Sequence, residues 1–400
     1  MTRLLFTVLL GVLLAGPAAA QPERPLAIVA YYASWNLYAT QPYLLTDLPG
    51  DQLTEVVYAF GAISESGDCT YSDEWADVQA PYPGDAGSQA VKGHFGQMAA
   101  LRERFPHLKI TLAIGGWSGS ARFSDVALTA ESRERFAQSC ADFAHQYGFD
   151  GLDVDWEFPV AGGMPGNAQR PADKANLTLL LGALRAALDA QAAADGRAYS
   201  LSIAAPTAPT LWQHFEWAVI APLLDHVFLM AYDMAGSWSG RTASHAPLYA
   251  DPASLYPALS ADAAVQAYIE MGVPPEKLIL GVPFYGRAWV GADPTADGLY
   301  QAYTGLPNGD GSFTYRQIAT NFLTDAAFTA HWNATGQFPW LYRADDGLFI
   351  TYDDAQSLAL KAAYVRQQGL GGAGIWEISQ DDAAHSLLMA LWAGLNNADG

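Results

Sequence analysis

Basic residues are scarce in this chain: 20 Lys plus Arg stand against 41 Asp plus Glu, a formal net charge of −21. Nucleic acids and anionic membrane surfaces are recognised through basic patches, so this balance argues against both as partners. Cysteine is scarcer still, with only Cys69 and Cys140. Cys140 falls in the helical pattern Phe136–Phe143 and reads as a buried free thiol; a pairing with Cys69 is not something the sequence establishes. There is no low-complexity linker, Ser/Thr-rich stretch or short internal repeat, and therefore no sign of a separate binding module. Long apolar runs are also missing. The one candidate, Leu4–Leu14, is too short to cross a bilayer comfortably. It follows Met1-Thr2-Arg3 and precedes Ala18-Ala19-Ala20, the layout of a secretory signal peptide over residues 1–20. A membrane anchor is the alternative, and no Cys follows the run to carry a lipid. The expected location is secreted: extracellular, or periplasmic in a Gram-negative host.

Apolar residues make up 51% of the chain, ample for a large core. Short apolar runs alternate with helical stretches, the pattern of a parallel α/β sheet. The expected strands are Leu26–Tyr32, Glu55–Gly61, Lys109–Gly115, Gly151–Glu157, Tyr199–Ala205, His226–Asp233, Leu278–Tyr285 and Gly372–Trp376. Helices are expected over Glu131–Tyr147, Pro171–Ala193, Asp262–Met271 and Asp354–Gln368. Eight strands with intervening helices favour a closed (β/α)8 TIM barrel, an α/β fold, over an open doubly wound sheet. The gap between the seventh and eighth strands is far longer than one helix and two loops require. It predicts a small α+β insertion at residues 288–348, with the barrel built from 21–287 and 349–400. Such an insertion leaves the barrel at its catalytic face and would wall the site there.

The most informative stretch is Phe149-Asp150-Gly151-Leu152-Asp153-Val154-Asp155-Trp156-Glu157. Strand side chains alternate, so Asp153, Asp155 and Glu157 share one face at steps of about 7 Å. Leu152, Val154 and Trp156 take the other face and can pack under helices. In a barrel the acidic face points inward, where like charges raise one another's pKa. That suits a general acid at the rim, Glu157, with Asp155 able to hydrogen-bond it and Asp153 deepest as a proton store. A divalent-cation site is the rival chemistry of such a row. No His cluster accompanies it, which argues against a metal. The 12 Trp and 20 Tyr matter too, because aromatic rings stack on the apolar faces of sugars. Trp289, Trp332 and Trp340, in the insertion, are as readily core residues.

These residues carry a resemblance. Asp150, Asp153, Asp155 and Glu157 match the signature Asp-x-x-Asp-x-Asp-x-Glu of family 18 glycoside hydrolases, the chitinases. Tyr31-Tyr32-Ala33-Ser34-Trp35, Tyr58-Ala59-Phe60, Ile114-Gly115-Gly116-Trp117, Met230-Ala231-Tyr232-Asp233, Gly281–Arg287 and Gly371–Trp376 resemble the family's other strand motifs, in the family's order. The likeness is to bacterial chitinases with a chitinase insertion domain. It implies hydrolysis of chitin and chitooligosaccharides by a monomer, without a cofactor. It implies catalytic roles for Glu157, Asp155, Asp153 and Tyr232. Substrate contacts would come from Tyr31, Trp35, Phe60, Gly116, Trp117, Met230, Asp233, Trp238, Tyr285, Arg287 and Trp376. The third-strand motif often opens with Ser, and this chain has Ala113 there, which leaves Tyr31 more of the task of holding Asp153. The resemblance also implies cis peptides at Ala59–Phe60, Glu157–Phe158 and Trp376–Glu377. A chitinase-like lectin without catalysis and a related endo-β-N-acetylglucosaminidase or peptidoglycan hydrolase are the alternatives.

Overall fold

The computed structural model describes residues 25–82 and 91–396; the export segment expected at 1–20 lies outside them. Eight parallel strands form the barrel: β1 (Ala27–Ala33), β2 (Glu55–Ile63), β4 (Lys109–Gly115), β5 (Gly151–Asp155), β6 (Ser200–Ala205), β7 (His226–Leu229), β8 (Leu278–Pro283) and β14 (Gly372–Trp376). A short strand β3 (Cys69–Tyr71) folds back on β2. Pairing of β1 with both β2 and β14 closes the sheet on itself, so no barrel edge is left unpaired.

Helices cover the outside because their apolar positions recur at helical spacing. In Asp173–Asp195, Leu177, Leu180, Leu181, Leu184 and Leu188 are buried against the barrel. Helix Ala130–Tyr147 starts on Thr129, whose side chain accepts the Ser132 N–H, and stops at Gly148 with φ of 74°. The outward face of β5 fits between them. Leu152 and Val154 are buried, and the Trp156 ring stacks on Phe123 with centroids 5.4 Å apart. The acidic face therefore points into the barrel. Cys69 and Cys140 are both buried free thiols.

Three strands end earlier than their sequence pattern. The ladder of β5 stops at Asp155, where the Asp155 carbonyl accepts the Gly116 N–H at 2.8 Å. Glu157 thus stands beyond the strand, on the loop at its mouth. Strand β7 ends at Leu229, and Met230 to Asp233 form an irregular segment. Beyond β8 the backbone changes sheets at Phe284: its N–H still bonds Trp376 O, and its carbonyl accepts the N–H of Tyr315. Strand pattern alone cannot register such exits, because apolar alternation continues through them.

The second sheet is antiparallel, with β9 (Tyr285–Trp289), β10 (Ser312–Thr314), β11 (Thr329–Asn333), β12 (Phe338–Arg343) and β13 (Leu348–Thr351) in the order β10-β9-β13-β12-β11. One helix, Tyr315–Asn321, follows β10. Trp289, Trp340, Phe338, Tyr342 and Phe349 form its core, while Trp332 is partly buried. Tyr285 and Arg287 stand on this sheet, so it contributes side chains directly to the barrel mouth.

The chain returns to the barrel through a buried ion pair: Lys361 Nζ donates to Asp353 and, at 2.8 Å, to the Ala246 carbonyl. Breaking such a pair leaves a charge without a partner in the interior. Lys361→Met is expected to lower unfolding free energy by about 3–5 kcal/mol in urea melts. A loss below about 1 kcal/mol, the range of an exposed pair, would contradict this assignment.

Candidate active site

The carboxylates of β5 sit in three different environments. Asp153 is fully buried and doubly held, by Tyr31 Oη at 2.7 Å and Ser202 Oγ at 2.6 Å. Burial raises its pKa, and the two hydroxyl donors oppose that rise. Ala113 lies beside it in register on β4 and offers no donor. Asp155 is buried one step higher, and its Oδ1 has no hydrogen-bond partner among the described residues. Burial first, then the charges of Glu157 and Asp153, hold its pKa well above the carboxylate range. The expected hydrogen bond between Asp155 and Glu157 is not made.

Glu157 is fixed through its backbone. Its N–H donates to Ser120 Oγ at 2.9 Å, and its carbonyl accepts from Asn167 Nδ2 at 3.1 Å. The Glu157–Phe158 peptide is cis, as are Ala59–Phe60 and Trp376–Glu377. Burial, and then the charge of Asp233, push the Glu157 carboxyl up to about 8. Asp150 belongs elsewhere. At the start of β5 it pairs with Arg102 at 2.8 Å and Arg197 at 2.9 Å and accepts the Ile110 N–H, a structural clamp at the opposite end of the strand.

Across the mouth, Asp233 takes a left-handed φ of 55° after β7. Arg287 grips its carboxylate with two bonds, Nε to Oδ1 at 2.8 Å and an Nη to Oδ2 at 2.7 Å. Those donors, together with His245, outweigh burial and hold its pKa far below the carboxylate range. Tyr232 meets Tyr285 edge to face at 6.2 Å, and burial followed by Tyr285 and the carboxylates holds its hydroxyl protonated. Met230 and Tyr232 pack on the interior ring cluster of Tyr31, Phe60 and Phe228.

Aromatic rings floor and rim the opening. Trp376 lies 5.5 Å from Tyr31 and 5.9 Å from Phe60, stacked on the latter, and Phe60 stacks on Trp35 at 6.2 Å. Gly116, at φ of 76°, lets the Phe60 ring approach; a Cβ there would lie 2.6 Å from it. Trp35, Trp117 and Trp238 are about half exposed or more, at 49%, 53% and 61%. Arg287 lies over Trp238, 5.4 Å from its centroid. Trp117 follows Gly116 at the same mouth and stacks on no ring among the described residues.

Comparison with known proteins decides the family. The model of the glycosyl hydrolases family 18 matches residues 27–381. The chain belongs to family 18 of the glycosyl hydrolases. It is 38% identical to chitinase A1 of Niallia circulans over 94% of this chain, and spans 60% of that protein's length. It is 35% identical to endochitinase 1 of Metarhizium robertsii, over 88% of this chain and 80% of that one. Among solved structures, chitinase ChiA74 from Bacillus thuringiensis superposes with a TM-score of 0.89 at 33% identity, covering 93% of this chain and 70% of that one.

The side chains expected from sequence thus come together in and around one mouth of the barrel. The site also includes residues that sequence reasoning passed over. Ser202 was findable, since it lies on an expected strand next to Asp153 in register. Ser120 opens the short 3-10 helix Ser120–Arg122, while Asn167 and His245 come from irregular segments; none of them carries a local pattern. A carboxyl titrating near 8 is protonated at neutral pH and able to donate. Because the Asp233 charge contributes to that value, its removal should lower it. Difference infrared titration of the Glu157 carboxyl should give a midpoint near 8 in the native protein and a lower one in Asp233→Asn. An unmoved midpoint in a variant of native melting temperature would contradict the electrostatic account.

Proposed function

We propose that this chain is a secreted chitinase. It hydrolyses β-1,4 linkages between N-acetylglucosamine units of chitin and chitooligosaccharides, with retention and with the substrate's own acetamido group as nucleophile. The observation that carries this reading is the inequality of the carboxylates. Glu157 is poised as an acid, while neither neighbour is free to attack. Asp155 is buried with a raised pKa, and Asp233 is locked by Arg287. The two-carboxylate scheme of retaining glycosidases needs an ionised, accessible second carboxylate; the assisted mechanism does not.

In the first step Glu157 gives its proton to the glycosidic oxygen and the bond to the anomeric carbon breaks. The acetamido carbonyl oxygen bonds to that carbon, forming an oxazolinium ion. Asp155 passes its proton down to the Asp153 carboxylate; as a carboxylate its unpartnered Oδ1 accepts the acetamido N–H and steadies the positive charge, and the proton returns from Asp153 once the ion is hydrolysed. The Tyr232 hydroxyl aligns the acetamido carbonyl. In the second step the Glu157 carboxylate takes a proton from water, and the resulting hydroxide opens the ring at the anomeric carbon. Trp376 floors the subsite of the cleaved sugar, lined by Tyr31, Phe60, Gly116 and Met230. Asp233, Arg287 and Tyr285 hold its hydroxyls and its twist. Trp35 is a platform on the substrate side, Trp117 and Trp238 on the product side. The antiparallel sheet forms one wall of the groove, a role supported by Arg287 reaching Asp233 from β9. The arrangement of residues 1–20 supports export.

Glu157→Gln should keep the melting temperature and oligomer binding and lower turnover of a chitin hexamer by at least about 10²–10⁴. Turnover within about tenfold of the native enzyme would remove Glu157 as the acid. Tyr232→Phe should lower kcat more than it raises KM, since alignment matters most in the transition state. Fully deacetylated chitosan, which lacks the internal nucleophile, should resist cleavage; efficient hydrolysis of it would reject the assisted route.

A further inference from the structure

His245 is completely buried, and neither of its ring nitrogens has a hydrogen-bond partner among the described residues. A buried polar atom left unsatisfied forfeits its hydration without replacement, so an idle imidazole here is a poor choice for mere filling. The segment that carries it is held from two sides. Its own carbonyl accepts the Met234 N–H at 2.9 Å, and the next carbonyl, of Ala246, accepts from Lys361. This places the ring directly behind Asp233, with Nδ1 3.8 Å from Asp233 Oδ1. Tyr285 flanks the ring at 5.1 Å between centroids.

We propose that His245 is a positioning residue: its Nδ1–H is the second anchor of the Asp233 carboxylate, acting opposite the Arg287 clamp to fix that charge beside Glu157. The inference rests on the chitinase reading above. The gap of 3.8 Å is longer than a hydrogen bond, and such contacts in a substrate-free site commonly tighten when substrate is bound. The groups that face the imidazole are Asp233, Arg287, Tyr285 and, from below, Asp353, whose charge is met by Lys361. Burial, outweighing Asp233, keeps the ring below its ordinary pKa and therefore neutral at neutral pH, with one ring nitrogen as donor. A neutral donor leaves Asp233 charged and still able to raise Glu157, whereas a cation would cancel that effect. Arg287 holds both carboxylate oxygens, but from one edge only. A second donor on Oδ1, from a ring buried in the core, fixes the carboxylate from behind as well.

The test is a double-mutant cycle on chitin hexamer hydrolysis with His245→Leu, Asp233→Ala and the pair. His245→Leu should lower kcat about tenfold and move KM by less than about twofold. In the Asp233→Ala background the same change should alter kcat by less than about twofold, because the partner it acts through is gone. His245→Asn, whose amide nitrogen reaches the Nδ1 position, should recover activity to within about threefold of native, and His245→Gln should not. Equal losses from His245→Leu in both backgrounds, or no difference between Asn and Gln, would overturn the proposal. If the Leu variant fails to melt as a folded protein, the Asn and Gln pair decides alone. An inactive native enzyme would overturn the chitinase reading and this inference with it; an active one with an additive cycle would overturn only the inference.

Discussion

Inside a closed barrel the acidic face of β5 has no solvent to turn to, and the arrangement around it answers that constraint. Burying an ionised carboxylate without partners is prohibitively unfavourable, so each acid is either given donors or kept protonated. Asp153 receives two hydroxyl donors, from Tyr31 and Ser202 on different strands. Asp155 receives none for its Oδ1 and is held protonated. Glu157, just outside the ladder, is pushed up to about 8 by burial and then by the charge of Asp233. The gradient from a satisfied carboxyl at depth to a proton donor at the mouth follows from where the barrel ends.

The same constraint assigns work to the elements around the barrel. The charge that raises Glu157 must stay ionised to do so, and Arg287 ensures it by gripping Asp233. Arg287 is supplied by β9, so the antiparallel sheet is joined to the electrostatics of the mouth as well as to its shape. The aromatic ring set of Trp376, Phe60, Trp35 and Tyr31 keeps the opposite side apolar, which strengthens every charge interaction within reach.

Much of this was legible in the sequence. All eight barrel strands coincide with the apolar runs that marked them, β1 running one residue further to Ala33 and β2 on to Ile63, and the inward face of β5 follows from alternation alone. The ends of β5, β7 and β8 were not legible, because hydrophobic alternation continues after the backbone has left the ladder. The bridging of Asp153 to Ser202 was half legible: both lie on expected strands, but the register that joins them is a long-range property. Ser120 and Asn167, which hold the Glu157 backbone, and His245 behind Asp233 lie in segments without periodicity. No local signal marks a residue whose role depends on a contact made elsewhere in the fold. Asp150 shows the reverse case, a signature acid that the structure assigns to ion pairs with Arg102 and Arg197 at the far end of its strand.

The central claim is that a single protein acid acts while the substrate provides the nucleophile, so that the anomeric carbon is inverted twice. Proton magnetic resonance of the native enzyme acting on a chitin hexamer, read in the first minutes before mutarotation, tests this most directly. The account requires the new reducing ends to appear as the β anomer. Initial release of the α anomer would mean direct attack by water, and would contradict it.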